Sequence, residues 1–159
     1  MRTQKRRRRE CKTDYKLRLG LLKSPKQRIV IRRTNKYLIV QAVESVEAQD
    51  TVVKGVSSKD LIAQGWDEKF VGSLKSIPAA YLTGKLLAKE LKTKEGIVDI
   101  GMAKSISGNR IFAVVKGLVD GGLKINADPE AFPSEDRING KHMSEDIQKI
   151  ITKINAKIK

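Results

Sequence analysis

The first 36 residues hold almost all the positive charge of this chain, and this limits where they can lie in a fold. They contain fifteen Lys and Arg against two acidic residues, a net charge of +13, whereas the other 123 residues carry only +2. The densest run is Arg6–Arg9. Burying unpaired charges costs on the order of several kcal/mol each. The segment must therefore stay in water or meet an anionic partner, and the core must come from the rest of the chain.

Arginine predominates in this run, which favours a nucleic acid as the partner. A planar guanidinium group donates two hydrogen bonds to one phosphate. A solvated tail, a nuclear localisation signal or a membrane-surface patch would account for the same charge. No apolar segment has the length of a signal-peptide core or a membrane span, so neither is expected. Three Phe, three Tyr and one Trp are few for base stacking, which favours recognition of phosphates and RNA shape.

The arm is predicted to continue into a basic helix docked on the core. Thr13 is expected to cap this helix, Asp14 to lie in its first turn, and Ser24 and Pro25 to end it. Its apolar face is predicted to consist of Tyr15, Leu19 and Leu22. We also expect the arm to be disordered without RNA, because its self-repulsion leaves nothing to bury.

The rest of the sequence predicts an α/β fold with a mixed sheet of about four strands and helices packed on it. The predicted elements are strands 28–32, 37–43 and 51–53, helix 76–92, strand 97–101, a helix that begins at 110 and stops at Gly121, and a final helix 144–158. The first two strands should form a hairpin, and the fourth should be parallel to an earlier strand. Residues 57–73 show no clear pattern. The predicted organisation is an arm and helix (1–26), an α/β core (27–128) and a loop with a C-terminal helix (129–159).

Small residues and capping residues indicate how the predicted helix 76–92 packs and where it begins and ends. Ala80, Gly84 and Ala88 are predicted to bring it close to the sheet, with Ser76 as its N-cap and Gly96 after its end. Pro129 and Pro133 are expected to interrupt an extended loop.

The sequence offers little for catalysis or metal binding. A ribonuclease H-like, metal-dependent nucleic-acid-processing enzyme is the alternative function, but Asp99 and Asp120 are too sparse a carboxylate set for it. A lone Cys11 and a lone His142 form neither a disulfide nor a zinc site. We expect no enzyme activity, cofactor, metal or small-molecule substrate. Residues 107–110 are predicted to contact an anion at a helix N-terminus or, alternatively, only to cap that helix.

Several separate blocks resemble the large-subunit ribosomal protein eighteen family, archaeal type. They are RRRECKTDY (7–15), PKQRIVIR (25–32), PAAYLTG (78–84), GNRIFA (108–113), KG (116–117), DGGL (120–123) and FPSEDRI (132–138). One departure is Cys11, where the family usually has glycine, so a local shift of the backbone is expected there. The end of the sequence soon after Ile158 also fits the archaeal type better than the longer eukaryotic relatives.

The resemblance implies a structural protein of the large ribosomal subunit in the cytoplasm. Such a protein binds 5S rRNA and helps to attach it in the central protuberance, beside large-subunit rRNA and the large-subunit protein five family. Resemblance and charge together predict RNA contacts by Arg6, Arg7, Arg8, Arg9, Lys12, Thr13, Tyr15, Lys16, Arg18, Lys26, Arg28, Arg32, Arg33, Ser107, Asn109 and Arg110. A general nucleic-acid chaperone is a third possibility.

Overall fold

The computed structural model describes residues 3–47 and 49–158. Its helices are α1 (Arg6–Arg9), α2 (Tyr15–Leu22), α3 (Ile77–Glu90), α4 (Arg110–Asp120), α5 (Glu135–Ile138) and α6 (Glu145–Lys157). Its strands are β1 (Gln27–Arg33), β2 (Leu38–Val46), β3 (Gln49–Ser57) and β4 (Gly96–Asp99). The predicted α/β class and the order of core elements are confirmed. No helix in the described part of the chain is long and apolar enough to cross a membrane.

The four strands form one mixed sheet in the order β3-β2-β1-β4. The first two form the predicted antiparallel hairpin, in which the amide of Thr34 donates to the carbonyl oxygen of Tyr37 at 2.9 Å. Strand β4 is parallel to β1, as predicted, and pairs Gln27 with Gly96. Because β3 and β4 are the edges, β1 lies inside the sheet, and its carboxyl end lies beside that of β4.

Alternation along β1 gives the sheet two different faces. Ile29 and Ile31 are fully buried beneath the helices, together with Val40 of β2. Arg28 and Arg32 lie one position out of phase and point to the other face. One strand therefore contributes aliphatic side chains to the core and guanidinium groups to the outer face.

Two glycines bring α3 and α4 together. A Cβ at Gly84 would overlap the carbonyl oxygen of Val114, and one at Gly117 would overlap that of Tyr81. For Gly84 the prediction of a close approach to the sheet is therefore wrong, because this residue permits close contact with a second helix instead. The Tyr81 hydroxyl donates to Asp120 at 2.9 Å and joins the same two helices.

The start of α3 is as predicted from its capping residue, whereas its end and the segment 57–73 differ from the prediction. The Ser76 side chain caps α3, as predicted. The helix ends at Glu90, and Gly96 begins β4, where its missing side chain makes room for Ile29. Residues 57–73 form two short 3₁₀ helices, Ser58–Leu61 and Glu68–Ser73. Between them Trp66 is buried and donates its ring N–H to the carbonyl of Phe70 at 3.2 Å.

The C-terminal part of the chain covers the other side of α3. Helix α6 buries Ile147, Ile151 and Ile154 in the core, and the predicted amphipathic pattern is confirmed. The predicted extended loop before it contains a 3₁₀ turn, Pro129–Ala131, and the single-turn helix α5. The core of the protein is therefore closed on the helical side of the sheet.

Candidate nucleic-acid interface

The basic arm begins with α1, whose four arginines are exposed. The amide of Lys12 donates to the carbonyl of Arg7 at 2.9 Å and that of Cys11 to the carbonyl of Arg8 at 3.0 Å, which is a Schellman helix ending. Cys11 has φ +51°, the left-handed geometry that glycine adopts most easily. Cys11 lies where the resembled family usually has glycine. It is accommodated there with a left-handed backbone, although it carries a side chain.

An ion pair links helix α2 to the sheet, and the predicted apolar face is only partly buried. Asp14, not Thr13, caps it and accepts hydrogen bonds from the amides of Lys16 and Leu17. Leu19 is 58% exposed, so the prediction that it docks is wrong. Arg18 is half-buried and donates to the Asp50 carboxylate at 2.9 Å. Helical periodicity in apolar residues could not reveal this anchor, because its partner lies on β3.

Arg28 lies at the centre of the outer face of the sheet and is only 4% exposed. Its Nη2 is 2.7 Å from the Asp50 carboxylate and 3.3 Å from the Ser45 hydroxyl, and its Nη1 is 3.5 Å from Asp99. The two carboxylates compensate a charge that would be costly to bury alone. Arg28 therefore supports the surface from beneath, and its guanidinium group is almost inaccessible to solvent.

The Asp50 carboxylate joins α2 to the sheet. Partial burial by itself would raise the pKa of Asp50, but hydrogen bonds from Ser45, Arg28 and Arg18 outweigh it and lower the pKa to about 2. The Ser45 hydroxyl donates at 2.7 Å. Asp50 is therefore ionised at neutral pH and holds two guanidinium groups at once.

Asp99, at the carboxyl end of β4, positions Arg32 in a similar way. Arg32 Nη2 donates to the Asp99 carboxylate at 3.0 Å, and its Nη1 donates to the Asp99 carbonyl at 2.8 Å. The amide of Gly101 donates to the same carboxylate at 2.8 Å. Gly101 has φ +62°, and a Cβ there would lie 2.9 Å from the Arg32 guanidinium carbon. Arg32 is thus fixed in place by contacts with both backbone and side chain.

A groove of about 320 Å³ lies between the arm, α2 and the carboxyl ends of β1 and β4. Five basic side chains line it, with Asp14 and Asp99 as its acidic members. The basic residues are Arg7, Lys12, Arg18, Arg32 and Arg33. We call this surface the outer groove. Its excess of positive charge suits a polyanion whose phosphates accept from several guanidinium groups.

The predicted anion contact at residues 107–110 lies at the start of α4. The Asn109 side chain accepts from the amides of Ile111 and Phe112 at 2.8 and 3.0 Å, so it caps the helix. The Ser107 hydroxyl donates to the carbonyl of Glu130 at 3.1 Å. The polar groups of both side chains thus have partners within the fold, and the charge at this helix start comes from Arg110.

The family model described as "Ribosomal large subunit proteins 60S L5, and 50S L18" matches residues 1–98. Curated relatives named "Large ribosomal subunit protein uL18" agree over more of the chain. The relative from Korarchaeum cryptofilum is 46% identical over 148 residues, covering 91% of this chain and 74% of its own. The relative from Methanoregula boonei is 39% identical over 163 residues, covering 97% and 91%. The chain belongs to the uL18 family.

Membership of the uL18 family gives the chain a structural role in the large ribosomal subunit, in association with rRNA and within the cytoplasm. The relatives are ribosomal proteins and not enzymes, so the ribonuclease H-like alternative is wrong. Asp99 is paired with two arginines, and Asp120 accepts from Tyr81. No group of three or more His, Cys, Asp or Glu that could hold a metal occurs within residues 3–47 and 49–158.

The uL18 fold brings part of the predicted contact set together. Arg7, Lys12, Thr13, Arg18, Arg32 and Arg33 line the outer groove. Lys26 instead pairs with Glu95 at 3.2 Å. Tyr15 is half-buried and has the ammonium group of Lys5 4.7 Å from its ring centre. Sequence reasoning missed Asp50 and Asp99 as positioning residues, because no local pattern shows which arginines two isolated acids will meet.

Proposed function

We propose that this uL18 family member binds 5S rRNA and helps to attach it in the central protuberance of the large subunit, beside the large-subunit protein five family. The observation that carries the proposal is the outer groove, where five basic side chains converge next to the exposed arginines of α1. The resemblance of the sequence blocks directs the choice of 5S rRNA among the RNAs of the subunit.

In this proposal the surface has an exposed part, the arm, and a part fixed by ion pairs, the outer groove. The arm supplies guanidinium groups that are exposed in the protein alone, from Arg6 to Arg9. The groove supplies Arg18 and Arg32, whose directions are set by Asp50 and Asp99. Affinity comes from phosphate neutralisation and counterion release, and selectivity from the shape of a folded RNA that fits the fixed groups.

The proposed contact set is the predicted set without Arg28. It consists of Arg6, Arg7, Arg8, Arg9, Lys12, Thr13, Tyr15, Lys16, Arg18, Lys26, Arg32, Arg33, Ser107, Asn109 and Arg110. Ser107 and Asn109 would contribute through the turn that they hold, since their side chains already have partners. Lys26 would have to exchange its exposed carboxylate partner for a phosphate.

Competition binding tests the proposal. Purified protein is offered labelled 5S rRNA against unlabelled tRNA and duplex DNA at near-physiological salt, with and without residues 1–12. We expect a strong preference for 5S rRNA and a large loss of affinity without the arm. Equal binding to all three would contradict the proposal and favour a general nucleic-acid chaperone. Attachment is tested separately, by asking whether 5S rRNA enters reconstituted large subunits only when this protein is supplied.

A further inference from the structure

A second cleft opens on the helical side of the sheet, at the same carboxyl end of β1 that borders the outer groove. Its volume is about 380 Å³, and it lies where α3 and α4 begin. Four cationic or protonatable side chains line it, and they come from four different parts of the chain. They are Arg33, Arg110, Arg137 and His142. We call this surface the inner cleft.

The three arginines of the inner cleft differ from those under the outer groove because they lack counterions. Arg18, Arg28 and Arg32 are each paired with Asp50 or Asp99. Within residues 3–47 and 49–158, the side chains of Arg33, Arg110, Arg137 and His142 have neither an ion pair nor a hydrogen bond. The carboxylate of Asp136, next to Arg137 in sequence, is engaged by Lys141.

The helix starts add to the field in this cleft. Helices α3 and α4 have 14 and 11 residues, and both direct their positive ends toward it. Their first free amides are partly satisfied by the caps Ser76 and Asn109. An anion in the cleft would therefore take its hydrogen bonds from the guanidinium groups, while the two helix ends contribute partial positive charge.

Arg33 connects the two surfaces. It ends β1, one position after Arg32, and alternation along a strand turns consecutive side chains to opposite faces. Arg32 accordingly faces the outer groove, while Arg33 borders both the groove and the inner cleft. Positive charge is therefore continuous over the carboxyl end of β1, from one face of the sheet to the other.

We propose that the inner cleft binds a phosphate of the RNA backbone, and that this backbone continues over Arg33 into the outer groove. The inference rests on the proposed function in that the same RNA occupies both surfaces. The protein would then hold the RNA by both faces of one sheet edge. Arg110 and Arg137 are the principal ligands because both guanidinium groups line the cleft without a protein partner.

The test compares two double variants of equal charge. R110Q/R137Q removes two cleft arginines, and K149Q/K153Q removes two exposed lysines from the far side of α6. Binding of each to 5S rRNA is measured by fluorescence anisotropy over a series of KCl concentrations. We expect R110Q/R137Q to lose about tenfold or more in affinity and to lower the salt-dependence slope by roughly 0.7–0.9, since one phosphate contact contributes about that much. The lysine control should lose less than about threefold.

An equal loss in both double variants would overturn the proposal, because only net charge would then matter. Unchanged far-UV circular dichroism and thermal midpoint show that R110Q/R137Q is folded. R110K/R137K provides a second variant that keeps the charge, and it should recover part of the affinity and the salt slope.

A second measurement separates the cleft from the proposed function. The amide signals of Ile77 and Arg110 are followed by NMR while a short single-stranded RNA or inorganic phosphate is added. Shifts with the RNA that disappear in R110Q/R137Q support the cleft even if the preference for 5S rRNA fails. Shifts with inorganic phosphate alone would mean a free-anion site and would overturn the RNA proposal. No shift with either probe would overturn the site.

Discussion

The arm and the outer face of the sheet both contain arginines, but the two regions use them differently. The side chains of α1 are exposed, and the i,i+4 contact of Arg6 with Glu10 lies in water. Arg28 on β1 is 4% exposed and lies between two carboxylates. An exposed guanidinium group can bind a partner at little cost to the fold, whereas a buried one is committed to the fold. Local charge density in a sequence does not distinguish these roles.

The largest expected effect comes from removing the buried arginine. R28M leaves Asp50 and Asp99 on the sheet without their central partner, so we expect the free energy of unfolding to fall by about 3–5 kcal/mol. Chemical denaturation measures this change. R33M is the matched control on the same strand, and we expect it to lower RNA affinity with little effect on stability. If R28M were as stable as R33M, the ion pairs of Arg28 with Asp50 and Asp99 would not stabilise the fold.

In the arm, by contrast, we expect substitutions to lower RNA affinity and to leave stability almost unchanged. Replacing Arg6–Arg9 with glutamine removes four exposed charges, and we expect RNA affinity to fall by about 100-fold at near-physiological salt. The free energy of unfolding should stay within about 0.5 kcal/mol of the parent value, because α1 buries no residue. Anisotropy and denaturation on the same sample check both statements. A marked loss of stability would show that the arm also belongs to the fold.

Acid pH should weaken the ion pairs of Asp50 with Arg18 and Arg28. The pKa of Asp50 is lowered in the folded state, from an ordinary 3.8 to about 2, so its stabilising contribution is complete above about pH 4 and lost as pH falls through about 2. Solvent screening of this partly exposed carboxylate keeps the contribution below about 2 kcal/mol. Denaturation at several pH values should show the fall in stability between pH 4 and 2. In D50N this component should be absent, and an unaltered pH profile would argue against the ion pairs.

The smallest expected effect is on RNA affinity in D99N. It distinguishes the positioning of Arg32 by Asp99 from the effect of net charge. D99N removes a negative charge beside the groove, which by simple electrostatics should strengthen RNA binding. If Asp99 positions Arg32, D99N should instead weaken binding by about tenfold. E130Q, which removes another exposed acid, is the control and should bind equally or slightly more tightly. Tighter binding by D99N in the same assay would show that Arg32 needs no positioning.

The elements that the sequence predicted are those specified by nearby residues. The β1–β2 hairpin follows from two β-branched runs around one turn, and the start of α4 follows from Asn109 as its cap. What the sequence could not show depends on distant partners. Arg18 meets Asp50 across 32 positions, and Arg32 meets Asp99 across 67. Gly84 and Gly117 become intelligible only once α3 and α4 lie against each other.

The same dependence on distance explains why only part of the interface was predicted. The arm and the strand edge were recognisable as basic segments, and the outer groove indeed contains both. Arg28 belonged to the same segments, but its burial depends on acids from two other strands. Arg137 and His142 lie far from the basic segment in sequence, and only the fold brings them beside Arg33.

The parallel pairing of β1 with β4 also has a consequence for the order of events during synthesis. It joins Gln27 to Gly96, so the outer groove cannot close until the chain has been made as far as its last lining residue, Ala103. The arm is available long before that. Contacts between distant residues form slowly, because loop closure precedes any stabilisation. A nascent chain therefore presents the exposed arginines of α1 first, and the outer groove forms only afterwards.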